Sequence, residues 1–143
     1  MSSSNSPSQV TNGRAWVSRP TYLAFAKMAK QAESYDEMVG YMDVVVSLAD
    51  ELTIEEWGLL DVAYFEAITN RLRRMHAILE QEQMDRYETM YAGKLGAEAA
   101  KLCEIIINYF DFKFIPLAKA KQESTMNLME RRKAFERLLW RCS

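Results

Sequence analysis

Residues 20–64 read PTYLAFAKMAKQAESYDEMVGYMDVVVSLADELTIEEWGLLDVAY, and this stretch decides the fold class. Apolar residues recur in it at spacings of three and four, which is the pattern of one face of an α-helix. Leu23, Ala26 and Ala29 form such a face in the first segment. Pro20 suits the first turn of that helix, where no N–H donor is needed. The stretch therefore predicts helices from its first residue.

The next two helices are separated by recognisable signals. A break at Ser34–Asp36 precedes a second helix, which runs through Met38, Met42, Val45 and Leu48. Thr53 and Glu56 then form a predicted capping box, in which the Thr53 hydroxyl accepts the Glu56 N–H and the Glu56 carboxylate accepts the Thr53 N–H. A third helix is expected to start there and to run past residue 75.

The remainder of the chain continues the helical pattern. A fourth helix carries Tyr91 and Ile106, Pro116 ends or follows it, and a last helix covers about Ser124–Arg141. The predicted fold class is all-α, an antiparallel array of about five helices. Residues 1–18 are Ser-rich and polar and are expected to form a disordered tail before a helical domain over residues 19–143.

Composition excludes several classes of function. The chain is 49% hydrophobic and 27% charged, with a net charge of −2, which gives no overall attraction to nucleic acid or anionic membranes. Cys103 and Cys142 form no metal or redox motif, and the lone His76 cannot build a metal site or a nucleophile–base pair. We expect no enzyme activity and no cofactor. The absence of a signal sequence or a long apolar run predicts a soluble protein of the reducing cytoplasm, with the nucleus as a second compartment.

Two blocks of the chain carry a family resemblance. They read AKMAKQAESYDEMV and ELTIEEWGLLDVAY, and both closely resemble the start of a 14-3-3 protein. The similarity is strong over residues 20–68 and weaker over 87–124, where Leu102-Cys103, Ile115-Pro116 and Glu123-Ser124 match the family's sequence. The resemblance implies a dimer of helical cups that binds phosphoserine and phosphothreonine peptides, here in a shortened form that keeps the dimerisation half.

The positions that should hold the phosphate have changed. The family supplies a Lys and an Arg seven residues apart on the third helix, and an Arg-Tyr pair from a later helix. The matching residues here are Phe65, Leu72, Arg137 and Leu138, so only Arg137 keeps its charge. Losing two charge-assisted contacts removes roughly 3–6 kcal/mol of binding free energy. We therefore expect phosphopeptide binding to be lost, with Arg137 as the residual contact.

The dimer surface implied by the resemblance is better preserved. On the first side it comprises Met28, Ala32, Ser34 and Glu37, and on the other side Arg74, Ile78, Tyr91, Lys94 and Glu98. The family's acid–lysine pair between subunits is kept as Glu37 with Lys94. Ser34 replaces the arginine that faces the Glu98 position, so that bridge is lost, and Arg74 replaces a small serine.

The sequence leaves three functions open. The first is a 14-3-3-like adaptor in signalling that dimerises with itself or with a full-length relative, contacts signalling proteins, and binds neither nucleic acid nor membrane. The second is a weak residual phosphopeptide-binding module, and the third is a decayed, non-functional fragment. The basic runs at Arg71–Arg74 and Arg131–Lys133 are interpreted as solvated helix faces. Leu138, Leu139 and Trp140 are expected to be exposed, because the family helices that cover them have no match here.

Overall fold

The computed structural model describes residues 18–143, and it is helical throughout this range apart from short turns. The α-helices are α1 (Arg19–Gln31), α2 (Tyr35–Leu48), α3 (Ile54–Leu79), α4 (Arg86–Tyr109), α5 (Ile115–Ala120) and α6 (Met126–Trp140), with a π-helical turn at Phe110–Phe114 between α4 and α5. The predicted all-α class is confirmed. The predicted disordered tail falls on residues 1–17, which lie outside the described residues, and on Ser18.

Helix α1 begins one residue before Pro20. Ser18 has extended backbone angles and acts as its N-cap, since its hydroxyl accepts the Thr21 N–H at 3.3 Å. A serine at this position satisfies one of the four N–H groups that a helix start leaves without partners. Ser18 is therefore a structural part of the first helix.

The predicted capping box at the start of α3 is confirmed. The Glu56 N–H donates to the Thr53 hydroxyl at 3.1 Å, and the Thr53 N–H donates to Glu56 Oε1 at 2.8 Å. The same carboxylate, only 2% exposed, also binds Arg19, whose Nε donates to Oε2 at 2.5 Å and whose Nη2 donates to Oε1. The Arg19 hydrogen bond and the cap together hold the pKa of Glu56 down to about 2. This carboxylate thus joins the start of α1 to the start of α3.

Two helices end without the glycine that usually marks a C-terminus. Glu33 after α1 has a φ of 56°, and Gln122 after α5 has a φ of 58°. In each case the next residue's N–H reaches back five residues, from Ser34 to the Ala29 carbonyl at 2.9 Å and from Glu123 to the Ala118 carbonyl at 2.8 Å. This is the Schellman arrangement, in which a left-handed residue lets the chain leave the helix.

The fourth predicted helix differs from expectation near Pro116. Helix α4 ends at Tyr109, the π-helical turn follows, and Pro116 lies in the first turn of α5. The Ile115 N–H donates to the Phe110 carbonyl, a five-residue step that widens the helix locally. Because Pro116 has no N–H, it fits at a helix start and not in the interior. The proline therefore follows α4, as predicted, and it lies in the first turn of a short additional helix, α5.

The described residues divide into two compact units at Ala63 and Tyr64, and α3 contributes to both. In the first unit α1 packs on α2. Its fully buried residues are Ala26, Met38, Met42, Val45, Leu60 and Ala63. In the second unit α4 packs on α6. Its fully buried residues are Tyr64, Ile68, Ala99, Cys103, Ile106, Phe110 and Phe135.

Candidate functional site

The first side of the predicted dimer surface forms a groove between α1 and α2. The groove has a volume of about 260 Å³ and is lined by Phe25, Met28, Ala29, Ala32, Glu37 and Tyr41. Three of the four residues predicted for this side therefore share one concave surface. Ser34 lies half-buried just before α2, where its side chain makes no capping hydrogen bond.

The groove is apolar apart from one carboxylate. The rings of Phe25 and Tyr41 lie 5.5 Å apart between centroids, and Tyr22 lies 5.9 Å from Phe25. Met28 is 54% exposed, which is high for a thioether side chain in a monomer. An exposed apolar surface with a single acid at its edge suits a partner that presents an apolar side chain next to a cation.

The other side of the predicted surface, in the second unit, centres on Glu98. Its carboxylate accepts Lys94 Nζ at 2.9 Å and Arg71 Nε at 3.0 Å, and these two contacts lower its pKa. The ammonium of Lys94 also lies 5.8 Å from the centroid of the Tyr91 ring. Tyr91, Lys94 and Glu98 therefore form one continuous row along α4, and Arg71 joins this row to α3.

Arg71 was not among the sequence-predicted residues of this surface. The family resemblance implies that Glu98 has lost its ion-pair partner, because Ser34 stands where the family has the arginine that faces this carboxylate. In the structure Arg71, from the same chain, binds that carboxylate and also donates to the Ala67 carbonyl at 3.1 Å. Arg74 is exposed and Ile78 is half-buried further along α3. A search for basic residues within reach of Glu98 on the neighbouring helix would have found Arg71.

The four positions that the family resemblance assigns to phosphate binding all lie in the second unit, and they do not form a cationic pocket. Leu72 is only 1% exposed and Leu138 7%, so both belong to the core. Phe65 is 37% exposed, and Arg137 is exposed on α6.

Arg131 brings α6 to Phe65. Its guanidinium carbon lies 5.9 Å from the centroid of the Phe65 ring and 5.5 Å from that of Phe135. A guanidinium over aromatic faces gains a cation–π interaction, which is stronger where water is partly excluded. Sequence reasoning missed both contacts. The contact with Phe135 has a recognisable signal, because an arginine four residues before a phenylalanine lies on the same face of a helix.

The other α6 cations differ in their surroundings. Arg132 forms a two-point pair with Asp111, with Nε at 2.6 Å from Oδ1 and Nη2 at 3.1 Å from Oδ2, and it also contacts Glu136 at 3.3 Å. Lys133 is exposed. The interpretation of this basic run as a solvated face is therefore wrong for Arg131 and Arg132, which are held by rings and carboxylates.

The end of α6 also differs from the prediction. Only Trp140 is exposed, at 78%, whereas Leu138 is buried and Leu139 is half-buried. Helix α6 packs on α4 and on the π-helical turn, so the helix has neighbours within the second unit. The predicted apolar patch is thus reduced to one tryptophan at this end of the helix.

Sequence comparison with known proteins identifies the family of this chain. The family model described as 14-3-3 protein matches residues 25–134. The chain belongs to the 14-3-3 family. It is 37% identical over 123 residues to the 14-3-3-like protein GF14-C of Oryza sativa subsp. japonica, a match that covers 78% of this chain and 48% of the relative. It is 35% identical over 122 residues to the 14-3-3-like protein GF14 nu of Arabidopsis thaliana, covering 78% and 46%.

This 14-3-3 chain spans about half the length of the curated relatives that it matches. For the 14-3-3-like protein A of Glycine max, for example, the match covers 85% of this chain and 51% of the relative, at 35% identity over 133 residues. Within residues 18–143, no group of side chains is arranged to hold a metal ion. In the same range, none of the helices combines the length and apolar character needed to cross a bilayer.

Proposed function

We propose that this 14-3-3 chain is a protein–protein interaction adaptor in signalling, which dimerises through its N-terminal helices and does not bind phosphoserine or phosphothreonine. Its partners would be a second copy or a full-length 14-3-3 relative, and signalling proteins brought in by that relative. It would act in the cytoplasm or nucleus without an enzyme activity or a cofactor.

The main observation that supports the loss of phosphate binding is the surroundings of Phe65 and Leu72. A phosphate needs several converging donors, of which guanidinium forks and ammonium groups are the strongest. At these two positions the chain offers a ring that Arg131 already covers and a leucine that is 1% exposed. Arg137 alone would supply one charged contact, which is far weaker than the set that the family resemblance implies.

The groove of the first unit supports dimerisation. Its exposed Met28 and aromatic wall offer apolar area, while Glu37 at the edge can accept an ammonium. The row formed by Tyr91, Lys94 and Glu98 presents the complementary features, a ring beside a cation. In a two-fold dimer each copy would supply both surfaces, so the contact would occur twice.

The primary test is the native mass of the full chain, measured by light scattering at micromolar concentration. A dimer that becomes a monomer in Met28→Glu, but not in the matched variant Met126→Glu at an exposed position of α6, would support the proposal. A monomeric wild-type chain with a cooperative melt would overturn dimerisation with itself, and mixing with full-length GF14-C would then test the mixed dimer.

Phosphate binding needs its own experiment. Fluorescence anisotropy with a phosphoserine peptide and its unphosphorylated twin should give equal binding or none. Preferential binding of the phosphorylated peptide, abolished by Arg137→Leu, would instead establish the residual phosphopeptide module. A broad, uncooperative melt with low helix content would favour the decayed fragment.

A further inference from the structure

One exposed methionine lies in the groove that the proposed function assigns to dimerisation. Met28 is 54% exposed and lines the groove between α1 and α2. The other two methionines of residues 18–63, Met38 and Met42, have no exposed surface. A small oxidant in solution can therefore reach the thioether of Met28 and leave the two buried sulfurs of α2 intact.

The surroundings of Met28 suit a thioether better than a sulfoxide. The sulfoxide oxygen is a strong hydrogen-bond acceptor, so it needs a donor when it leaves water. Among the lining side chains that the structure describes, only the Tyr41 hydroxyl can donate, while the Glu37 carboxylate is itself an acceptor. The other lining residues are Phe25, Ala29 and Ala32. An oxidised Met28 would therefore resist burial in this groove.

We propose that Met28 is an oxidation site that controls dimerisation, because its sulfoxide form cannot be buried well against a second copy. This control rests on the proposed function, since it acts through the same dimer groove. A hydroperoxide reacts with the free subunit, in which the thioether is exposed. In the dimer the second copy covers the sulfur and protects it. Oxidation therefore holds the chain as a monomer.

The reaction adds one oxygen atom to the sulfur of Met28. A lone pair of the sulfur attacks one oxygen of hydrogen peroxide, the O–O bond breaks and an S–O bond forms. The proton of the transferred oxygen passes to the leaving oxygen, which departs as water. The sulfur loses two electrons and the peroxide gains them. Methionine sulfoxide reductases A and B, one for each sulfoxide epimer, reverse the change with a dithiol as reductant.

The experiment uses the full chain with hydrogen peroxide as the probe, and it reads out native mass by light scattering and the oxidised positions by peptide mapping. Oxidation of Met28 should raise the dimer Kd at least tenfold, because a polar oxygen replaces an apolar contact. Treatment with both reductases should restore the original Kd. A dimer that persists unchanged after Met28 has been mapped as the sulfoxide would overturn the proposal.

Two matched variants assign the effect to one sulfur. Met28→Leu keeps an apolar side chain of similar volume and has no thioether, so it should remain dimeric under the same peroxide treatment. Met126→Leu removes an exposed thioether of α6 and should dissociate on oxidation like the wild-type chain. Dissociation of peroxide-treated Met28→Leu would assign the effect to another methionine and overturn the proposal.

Protection of Met28 in the dimer provides a second measurement, which needs no variant. The rate of Met28 oxidation relative to that of Met126 should fall as the protein concentration rises through the Kd, and a constant ratio in a dimerising chain would count against the proposal. An unoxidised wild-type chain that stays monomeric would overturn dimerisation of the chain with itself, and the control by Met28 with it. An unoxidised dimer that tolerates the sulfoxide would overturn only the control by Met28.

Discussion

The guanidinium of Arg131 lies over the ring of Phe65, with its central carbon 5.9 Å from the ring centroid. Phe65 stands where the family resemblance implies a phosphate-binding lysine. The cation that faces this ring therefore comes from α6, and the aromatic ring takes the place of an anion as its partner. The positive charge of Arg131 serves packing within the second unit, in line with the loss of phosphate binding that we propose.

Restoring the family lysine should not restore binding. We expect Phe65→Lys to lower the free energy of unfolding by about 1 kcal/mol, because an ammonium would face the Arg131 guanidinium in place of the ring. No preference for a phosphopeptide should appear, because Leu72 remains buried. Urea denaturation and fluorescence anisotropy measure the two effects. The control Phe65→Leu keeps the apolar contact and should lose less stability, and a stabilised Phe65→Lys variant would contradict the account.

Acid stability should depend on Glu56. Its folded-state pKa of about 2 lies below the ordinary value of 4.5, so its contribution is present above pH 4.5 and is lost as the pH falls toward 2. Over that range the loss should amount to roughly 1–3 kcal/mol. In the Glu56→Gln variant, the free energy of unfolding should depend less on pH between about pH 2 and pH 4.5 than in the wild-type chain. The neighbouring Glu55, with an exposed contact to Lys27 at 3.1 Å, is the matched control, and an equal effect of Glu55→Gln would refute the assignment.

Two glycines of α4 should respond oppositely to the same change. Gly96→Ala would place a Cβ 2.4 Å from the Cys142 carbonyl, and we expect a loss of about 1–3 kcal/mol because backbone must move. Gly93 has open space around it, so Gly93→Ala should stabilise α4 by about 0.5–1 kcal/mol. Chemical denaturation of both variants gives the comparison. Similar effects at the two positions would show that Cys142 does not pack on α4 as described.

A charge exchange should test the proposed contact between Glu37 and Lys94. Either Glu37→Lys or Lys94→Glu should weaken the dimer about tenfold through repulsion between like charges. The double variant should recover much of that loss, because the pair is restored in reverse. Sedimentation equilibrium measures each Kd, and thermal melts control for the broken Lys94–Glu98 contact of 2.9 Å. If the losses of binding free energy in the two single variants simply add in the double variant, Glu37 and Lys94 do not contact each other across the dimer and the prediction is wrong.

The helices could be predicted because their signals are local. The Thr53–Glu56 box was predicted from four adjacent residues, since capping depends on nothing further away. Helix ends at Glu33 and Gln122 were harder to place, because a left-handed glutamate or glutamine leaves no glycine to mark them. The π-helical turn was missed for a related reason, as Phe110–Phe114 contains no glycine or proline that would mark a change in the helix.

The candidate site was predictable in its positions and not in its contacts. Family resemblance marked Phe65 and Leu72, but sequence could not show that one is covered by Arg131 and the other is buried. Likewise Glu98 was expected to lose its partner, and Arg71 supplies another from the same chain. Such pairs form between helices distant in sequence, so their existence depends on packing that no local pattern encodes.

The π-helical turn at Phe110–Phe114 also has a consequence for how this region tolerates insertions and deletions. A five-residue step accommodates one more residue than an α-helical turn, so the helical phase changes between Tyr109 and Ile115. A single helical wheel drawn across both segments would assign the wrong faces to Ile115–Ala120. Deleting one residue of the turn would rotate those six residues by about 100° relative to α4. An aligned gap of one position here would therefore mark a change of exposed surface, even if every flanking residue were identical.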